Sequence, residues 1–198
     1  MKLRHEEYAD TPGREPFILN DNITRTATLC SESQNWHENI EIQFCKAGEG
    51  GVLIDGKRYS FSKGDIVLIN SDAIHYTFSN TSLVYACIIV SADFCKQMGI
   101  DHHRLSFVPL LQNEKLAEAF EEICDMYKKD DPLRVAMLSQ LLLKLLIEIV
   151  SGYSSVKHEI GAEQKELITV KKVLLYIREN YNSKITLDSI SKHVLTDK

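Results

Sequence analysis

From Ile23 to about Val90, short runs rich in Ile, Val, Thr, Tyr and Phe are broken roughly every 8 to 12 residues by glycine or Asn/Asp turns. A chain punctuated this often has no room there for long helices. The pattern predicts strands near 23–30, 40–46, 51–54, 57–62, 65–70, 75–79 and 83–90, and seven short strands favour a sandwich or barrel over a parallel sheet with crossover helices. The sharpest turn signal is Asp55-Gly56, because a two-residue hairpin loop needs positive φ at both central positions. Gly48 to Gly51 and Lys63-Gly64 are expected to form the neighbouring corners.

After Ser91 the apolar period changes from two to 3.6. Leu116, Phe120, Ile123 and Tyr127 line one face of a predicted helix from about Asn113 to Lys129. A second helix, 132–151, is expected to start at Asp131-Pro132, where a capping carboxylate precedes a proline whose missing N–H costs nothing. Leu138, Leu141, Leu142, Leu145 and Ile149 form one apolar face of it, and Leu143, Leu146, Ile147 and Val150 another, with Gln140, Lys144 and Glu148 between them. A helix apolar on two sides needs two partners. One barrel supplies one partner, so a second subunit is expected to supply the other, and Leu138, Leu141, Leu142, Leu145 and Ile149 are assigned to dimerisation. The segment Val135 to Val150 falls short of the roughly 20 apolar residues of a membrane span, so no membrane contact is expected.

Gly152, Ser154, Ser155 and Gly161 sit in a stretch without periodicity that reads as a linker, after which Val170, Val173, Leu174, Ile177 and Tyr181 resume helical spacing. A turn at Asn182-Ser183-Lys184 follows, and Thr186 is placed to cap a helix carrying Leu187, Ile190 and Val194. Two short amphipathic helices on a tight turn are the opening of a helix-turn-helix.

Charge is unevenly spread along the 198 residues, whose net value is −5. Residues 1–164 hold 16 Lys and Arg against 24 Asp and Glu, a net of −8, while 165–198 hold 7 against 4, a net of +3. Any polyanion contact is therefore expected at the C-terminal end. The cysteines, Cys30, Cys45, Cys87, Cys95 and Cys124, form no Cys-x-x-Cys pair or zinc spacing and read as reduced, mostly packed thiols. The first ten residues are charged where a signal peptide is apolar, so a cytoplasmic location is expected.

The residues that carry chemistry lie in the strand region. Along Ile40-Glu41-Ile42-Gln43-Phe44-Cys45 the alternation gives one apolar and one mixed polar face. Either Ile40, Ile42 and Phe44 fill the barrel and Glu41 meets solvent, or the polar face lines a cavity and the later helices cover the apolar one. On a straight strand, His37 and Glu41 would lie about 13 Å apart at roughly 3.3 Å per residue, too far to share an ion with bonds of about 2 Å. Chelation would require the chain to turn near Glu38-Asn39, and no metal or other cofactor is assigned. No Ser-His-Asp order, phosphate-cradling loop or dinucleotide fingerprint is present.

The stretch Asn35-x-His37-x3-Glu41-x6-Gly48 resembles the first motif of the cupin barrels, and Gly64-x5-Asn70-x4-His75 resembles the second. The resemblance puts His37, Glu41 and His75 on metal-ligand positions, with Asn35 where a histidine is usual, Asn70 where a proline is usual and Asp72 where a glycine is usual. Further on, Val173-Leu174-x-Tyr176-Ile177-x3-Tyr181-x3-Ile185-Thr186-Leu187-x2-Ile190 is similar to transcription regulators of the AraC/XylS type, with Ser191 in place of the usual alanine. In that family a barrel senses a small molecule, helices after it mediate dimerisation, and two helix-turn-helix units bind DNA.

The resemblance implies an α+β fold: a cupin-like antiparallel β-barrel (jelly roll), a helical dimerisation segment and a partial helix-turn-helix. The expected divisions are an N-terminal arm 1–20, barrel 21–92, dimerisation segment 93–152, linker 153–166 and truncated helix-turn-helix 167–198. The expected function is effector binding and homodimerisation for a longer regulator that reaches DNA only through a missing C-terminal part. His37, Glu41, Gln43 and His75 are expected to touch a small effector of the sugar or organic acid class, with Trp36 as a stacking wall. No enzymatic activity is expected; the alternative is a metal-dependent cupin enzyme, an oxygenase, isomerase or epimerase, using His37, Glu41 and His75.

Overall fold

The computed structural model describes residues 2–8, 15–27, 33–156 and 162–196. The chain divides into two compact units, Met1–Val156 and Lys157–Lys198. In the first, strands β1 (Lys2–His5), β2 (Phe17–Thr26), β3 (Ser33–Trp36), β4 (Glu41–Ile54), β5 (Lys57–Ser62), β6 (Ile66–Ile69), β7 (His75–Phe78) and β8 (Ser82–Val90) are followed by helix α1 (Ala92–Gln97). Two short strands, β9 (Leu105–Phe107) and β10 (Leu110–Leu111), lead to helices α2 (Glu114–Tyr127) and α3 (Arg134–Tyr153) and strand β11 (Ser154–Val156). Cys30 and the end of the predicted 23–30 strand lie outside the described residues.

Strand β4 organises the barrel. Its first half pairs antiparallel with β6 and β8, and its second half with β5 and β7, so one strand belongs to both walls. The predicted break at Gly48 to Gly51 is instead a bend within this strand, with a register shift between Cys45 and Ala47. Glycine is required at the bend: Gly48 has φ of 76° and a Cβ there would lie 2.0 Å from the Ser82 carbonyl oxygen. The Asp55-Gly56 hairpin forms as expected, with φ of 45° and 79°. Strand β1 was not anticipated. It pairs parallel with β3, which itself joins β7 through Asn35 opposite His75.

Two apolar clusters result. One lies between the outer face of the barrel and the helices, where Ile40, Ile42 and Phe44 pack with Leu116, Phe120, Ile123, Leu138, Leu142, Leu145 and Ile149. The other fills the barrel with Cys45, Val52, Ile54, Phe61, Val67, Ile69, Leu83, Tyr85, Cys87 and Ile89. Cys45, Cys87, Cys95 and Cys124 are buried thiols outside any disulfide.

Helix α3 begins later than the sequence suggested. Asp131 Oδ1 accepts from the Leu133 N–H at 2.7 Å and the Asp131 carbonyl from Arg134 N–H, so residues 131–133 form a turn before the first helical residue. Leu138, Leu142, Leu145 and Ile149, the face assigned to a subunit contact, are 0–1% exposed inside this same chain. That correction has a simple cause, since the outward apolar side of β4 needs a cover and this face of α3 supplies it. Leu141 is half-buried at the edge of the cluster, and Met137 and Ile147 are exposed. By length and composition α3 is long and apolar enough to cross a membrane, with a mean hydropathy of 1.7, yet five of its residues are buried in the core. Beyond it, β11 pairs antiparallel with β9 where a linker was expected to begin.

The second unit contains α4 (Ala162–Asn180) and α5 (Leu187–Thr196). Thr186 caps α5 as expected: its Oγ1 accepts from Ser189 N–H, while Ser189 Oγ accepts from Thr186 N–H. The Tyr176 and His193 rings pack at 4.8 Å between the two helices.

Candidate functional site

His37 follows the last residue of β3, and the chain turns before β4 begins at Glu41. Three hydrogen bonds pin that turn: Asn39 Nδ2 donates to the Val90 carbonyl at 2.8 Å, Val90 N–H to the Ile40 carbonyl, and Asp72 N–H to the His37 carbonyl. The turn folds His37 back onto Glu41, and His37 Nε2 lies 2.9 Å from Glu41 Oε2. On β7, His75 faces the same atom, with Nε2 3.2 Å from Glu41 Oε2. The two imidazole rings meet edge to face, 5.0 Å between centroids.

The other carboxylate oxygen, Oε1, accepts from Gln43 Nε2 at 2.7 Å and from the Cys87 thiol at 3.1 Å. Gln43 Oε1 in turn accepts from Thr77 Oγ1 at 2.9 Å. Glu41, Gln43, His37, His75 and Thr77 are all buried, with Glu41 only 5% exposed. The polar face of β4 therefore points into the barrel and the apolar face outward to the helices, which decides between the two readings of that strand. Buried polar groups persist only when hydrogen-bonded, and here the chain supplies partners for both oxygens of the carboxylate.

Burial opposes ionisation of Glu41, but the adjacent His75 and His37 outweigh it and hold the carboxyl well below its usual range. Burial likewise acts to lower His75, and Glu41 overcomes it so that the imidazole titrates above its ordinary value. The Cys87 thiol is pushed well up, first by burial and then by Glu41.

Tyr8, just after β1, packs its ring edge against His37 at 5.3 Å, and its hydroxyl donates to Glu6 Oε2 at 2.5 Å. Tyr8 thus lies directly against His37. Burial, then Glu6, raises the Tyr8 phenol far above its ordinary pKa and keeps it neutral.

His37, Glu41, Gln43 and His75 come together as expected. Trp36 does not join them: it is buried with its ring 4.2 Å from that of His5, so β1 supplies the stacking partner reserved for an effector. Thr77, Cys87 and Tyr8 were missed. Thr77 was legible in principle, two residues beyond His75 on the same strand face; Tyr8 had no local signal at all. The His37, Glu41 and His75 donor atoms lie within 4.8 Å of one another and can hold a metal ion. Cavities of 370 to 430 Å³ open elsewhere, at the Gly50/Phe78 end of the barrel, between α2 and α3, and beside α1, none lined by these residues.

The architecture is a largely antiparallel barrel with polar groups turned inward along β4 and an outer helical layer. The sequence matches the AraC-like ligand binding domain family over residues 26–146, and the chain belongs to that family. ToxT from Vibrio cholerae has a similar fold, with 12% identity and a TM-score of 0.53 over 92% of this chain and 71% of that one. The unsaturated fatty acid-bound form of ToxT is also similar, at 12% identity and a TM-score of 0.50 over 90% of this chain and 68% of that one. The AraC-like transcriptional activator CuxR shows 10% identity and a TM-score of 0.49 over 80% of this chain and 57% of that one. No curated protein sequence matches significantly.

Proposed function

We propose that this chain is the effector-sensing and dimerisation portion of an AraC-type transcription regulator, and that it binds a small polar effector inside the barrel rather than catalysing a reaction. The inward set Glu41, Gln43, Thr77, His37 and His75 carries this reading, since a barrel built only for packing gains nothing from burying a carboxylate. The sugar or organic acid class suits these groups, which offer paired acceptors and donors for hydroxyls or a carboxyl. An effector acts by binding one arrangement of Tyr8 and the N-terminal segment better than another. Subunit contact through α3 falls to its outer side, where Met137 and Ile147 are exposed.

A thermal-shift screen of sugars and organic acids tests this. An effector at 100 times its Kd stabilises the fold by about 2.7 kcal/mol through mass action, and Glu41→Gln should abolish that shift while leaving the protein folded. Stabilisation of equal size in wild type and Glu41→Gln would refute an effector site at Glu41.

A further inference from the structure

On β5 the exposed residues Arg58, Ser60 and Ser62 alternate with Tyr59 and Phe61, and on β7 Tyr76 and Phe78 alternate with the buried His75 and Thr77. The register sets Arg58 and Tyr76 on either side of Leu53, Ser60 and Phe78 on either side of Gly51, and Ser62 opposite Glu49. These residues share the outward face of the sheet, turned away from His75 and Thr77. Gly51 leaves a gap in that face, and the Phe78 ring fills it: a Cβ at Gly51 would lie 2.4 Å from Phe78 Cζ. Arg58 reaches diagonally across β4, and its guanidinium lies over the same ring, 4.6 Å from the centroid. Arg58 forms no hydrogen bond or ion pair among the described residues. Its planar fork is thus held flat on an aromatic face with its donors unused, the arrangement that takes a carboxylate by two parallel hydrogen bonds.

Arg58, Glu49, Asp65, Ser60, Asn80 and Gln112 line the 430 Å³ cavity at this end of the barrel. That volume lies within the roughly 300–1,000 Å³ of small-molecule sites. Asp65 is buried and already engaged, accepting from the Ser62 N–H at 2.8 Å and from the Ser62 hydroxyl at 3.2 Å. Glu49 is exposed, and its carboxylate has no partner among the described residues. It stands two residues along β4 from Gly51, over which the ring and the guanidinium lie, a step of about 6.6 Å at roughly 3.3 Å per residue. One cavity therefore offers a cation and an anion that do not pair with each other. Two extended residues of peptide span about 7 Å, so the charged ends of a dipeptide match this separation, whereas those of a single amino acid stand too close together.

We infer that this cavity binds a dipeptide-sized zwitterion, with its carboxylate on Arg58, its ammonium group on Glu49 and its peptide group among the Ser60 hydroxyl and the Asn80 and Gln112 side-chain amides. Stacking on Phe78 fixes the guanidinium before the ligand arrives, so less side-chain freedom is lost on binding. The site lies on the outward face of β4 and stands apart from the sensing reading, which rests on the inward face.

The test is calorimetric titration of the full chain with alanylalanine. Wild type should bind one molecule per chain, and the N-acetyl form, the C-terminal amide and free alanine should each bind about tenfold more weakly or worse, since each lacks one charge or the spacing. Arg58→Gln should weaken binding by about tenfold or more, and Arg58→Lys should not rescue it, because lysine keeps the charge and loses the fork. Glu49→Gln should abolish the preference for the free ammonium group, while Glu41→Gln should leave binding unchanged. Circular dichroism verifies that the variants fold. Absence of saturable binding up to about 10 mM, equal affinity for the blocked forms, or undiminished affinity in Arg58→Gln overturns the site. Binding that survives Arg58→Gln and is lost in Glu41→Gln would put the peptide inside the barrel, overturning this site while leaving the sensing reading intact.

Discussion

Alternate side chains of β4 meet opposite surroundings. Ile42 and Phe44 turn outward and are sealed by α2 and α3, whereas Glu41 and Gln43 turn inward and are satisfied by His37, His75, Thr77 and Cys87. Both faces are buried, yet one is held by shape and the other by directed hydrogen bonds. The difference teaches that covering the outward apolar face with helices lets the inward face of this strand carry buried polar groups. The usual arrangement, apolar inside and polar out, is reversed over these residues because the outside has been covered.

If that division holds, truncation on the two faces should have separate consequences. The largest effect is expected from Phe120→Ala, since Phe120 is fully buried with its ring 5.5 Å from that of Phe44. Urea unfolding should show a loss of about 3–5 kcal/mol, with the effector-induced stabilisation of the folded fraction unchanged. A loss below about 1 kcal/mol would mean the helices are not the stabilising layer, on the range expected for a buried aromatic.

On the inner face, Gln43→Leu keeps most of the volume but strips a donor from Glu41 and an acceptor from Thr77. The expected cost is about 1–3 kcal/mol, accompanied by loss of the effector-induced thermal shift because Glu41 loses its support. Unaltered binding would show that Gln43 does not orient the carboxylate.

The smallest effect concerns the seam between the two regions. Asp21 on β2 pairs with Lys46 on β4 and with Lys128 after α2, the latter at 3.0 Å. Burial works against its ionisation, but the two lysines prevail and hold the carboxyl below its ordinary value. Its contribution is therefore whole above the unfolded pKa of about 3.9 and fades as pH falls through the lower folded value. Because the pair is exposed to screening, Asp21→Asn should cost under about 1 kcal/mol at pH 7. The gap between wild type and variant should close on acidification, and melts in which it widened would reverse the sign.

Much of this was legible along the chain because it depends on neighbours in sequence. The alternation of Ile40 to Cys45, the Asp55-Gly56 hairpin, the Thr186 cap and the 3.6 period of α2 are local, and each appears where local chemistry demands it. The His37, Glu41 and His75 grouping was readable only through the resemblance to cupin barrels, since spacing on a straight strand held His37 and Glu41 apart.

What only the tertiary structure decided depends on contacts between residues far apart. Which face of β4 lies inside was undetermined until α2 and α3 covered the other, and the same packing drew Leu138, Leu142, Leu145 and Ile149 away from a subunit contact into the chain's own core. The turn that folds His37 onto Glu41 is pinned by Val90 and Asp72, some 50 and 35 residues away in sequence. Local pattern specifies two unlike faces and a set of donors; closing the barrel specifies which face is enclosed and how near the donors stand, because distance across a fold is set by packing and not by spacing along the chain.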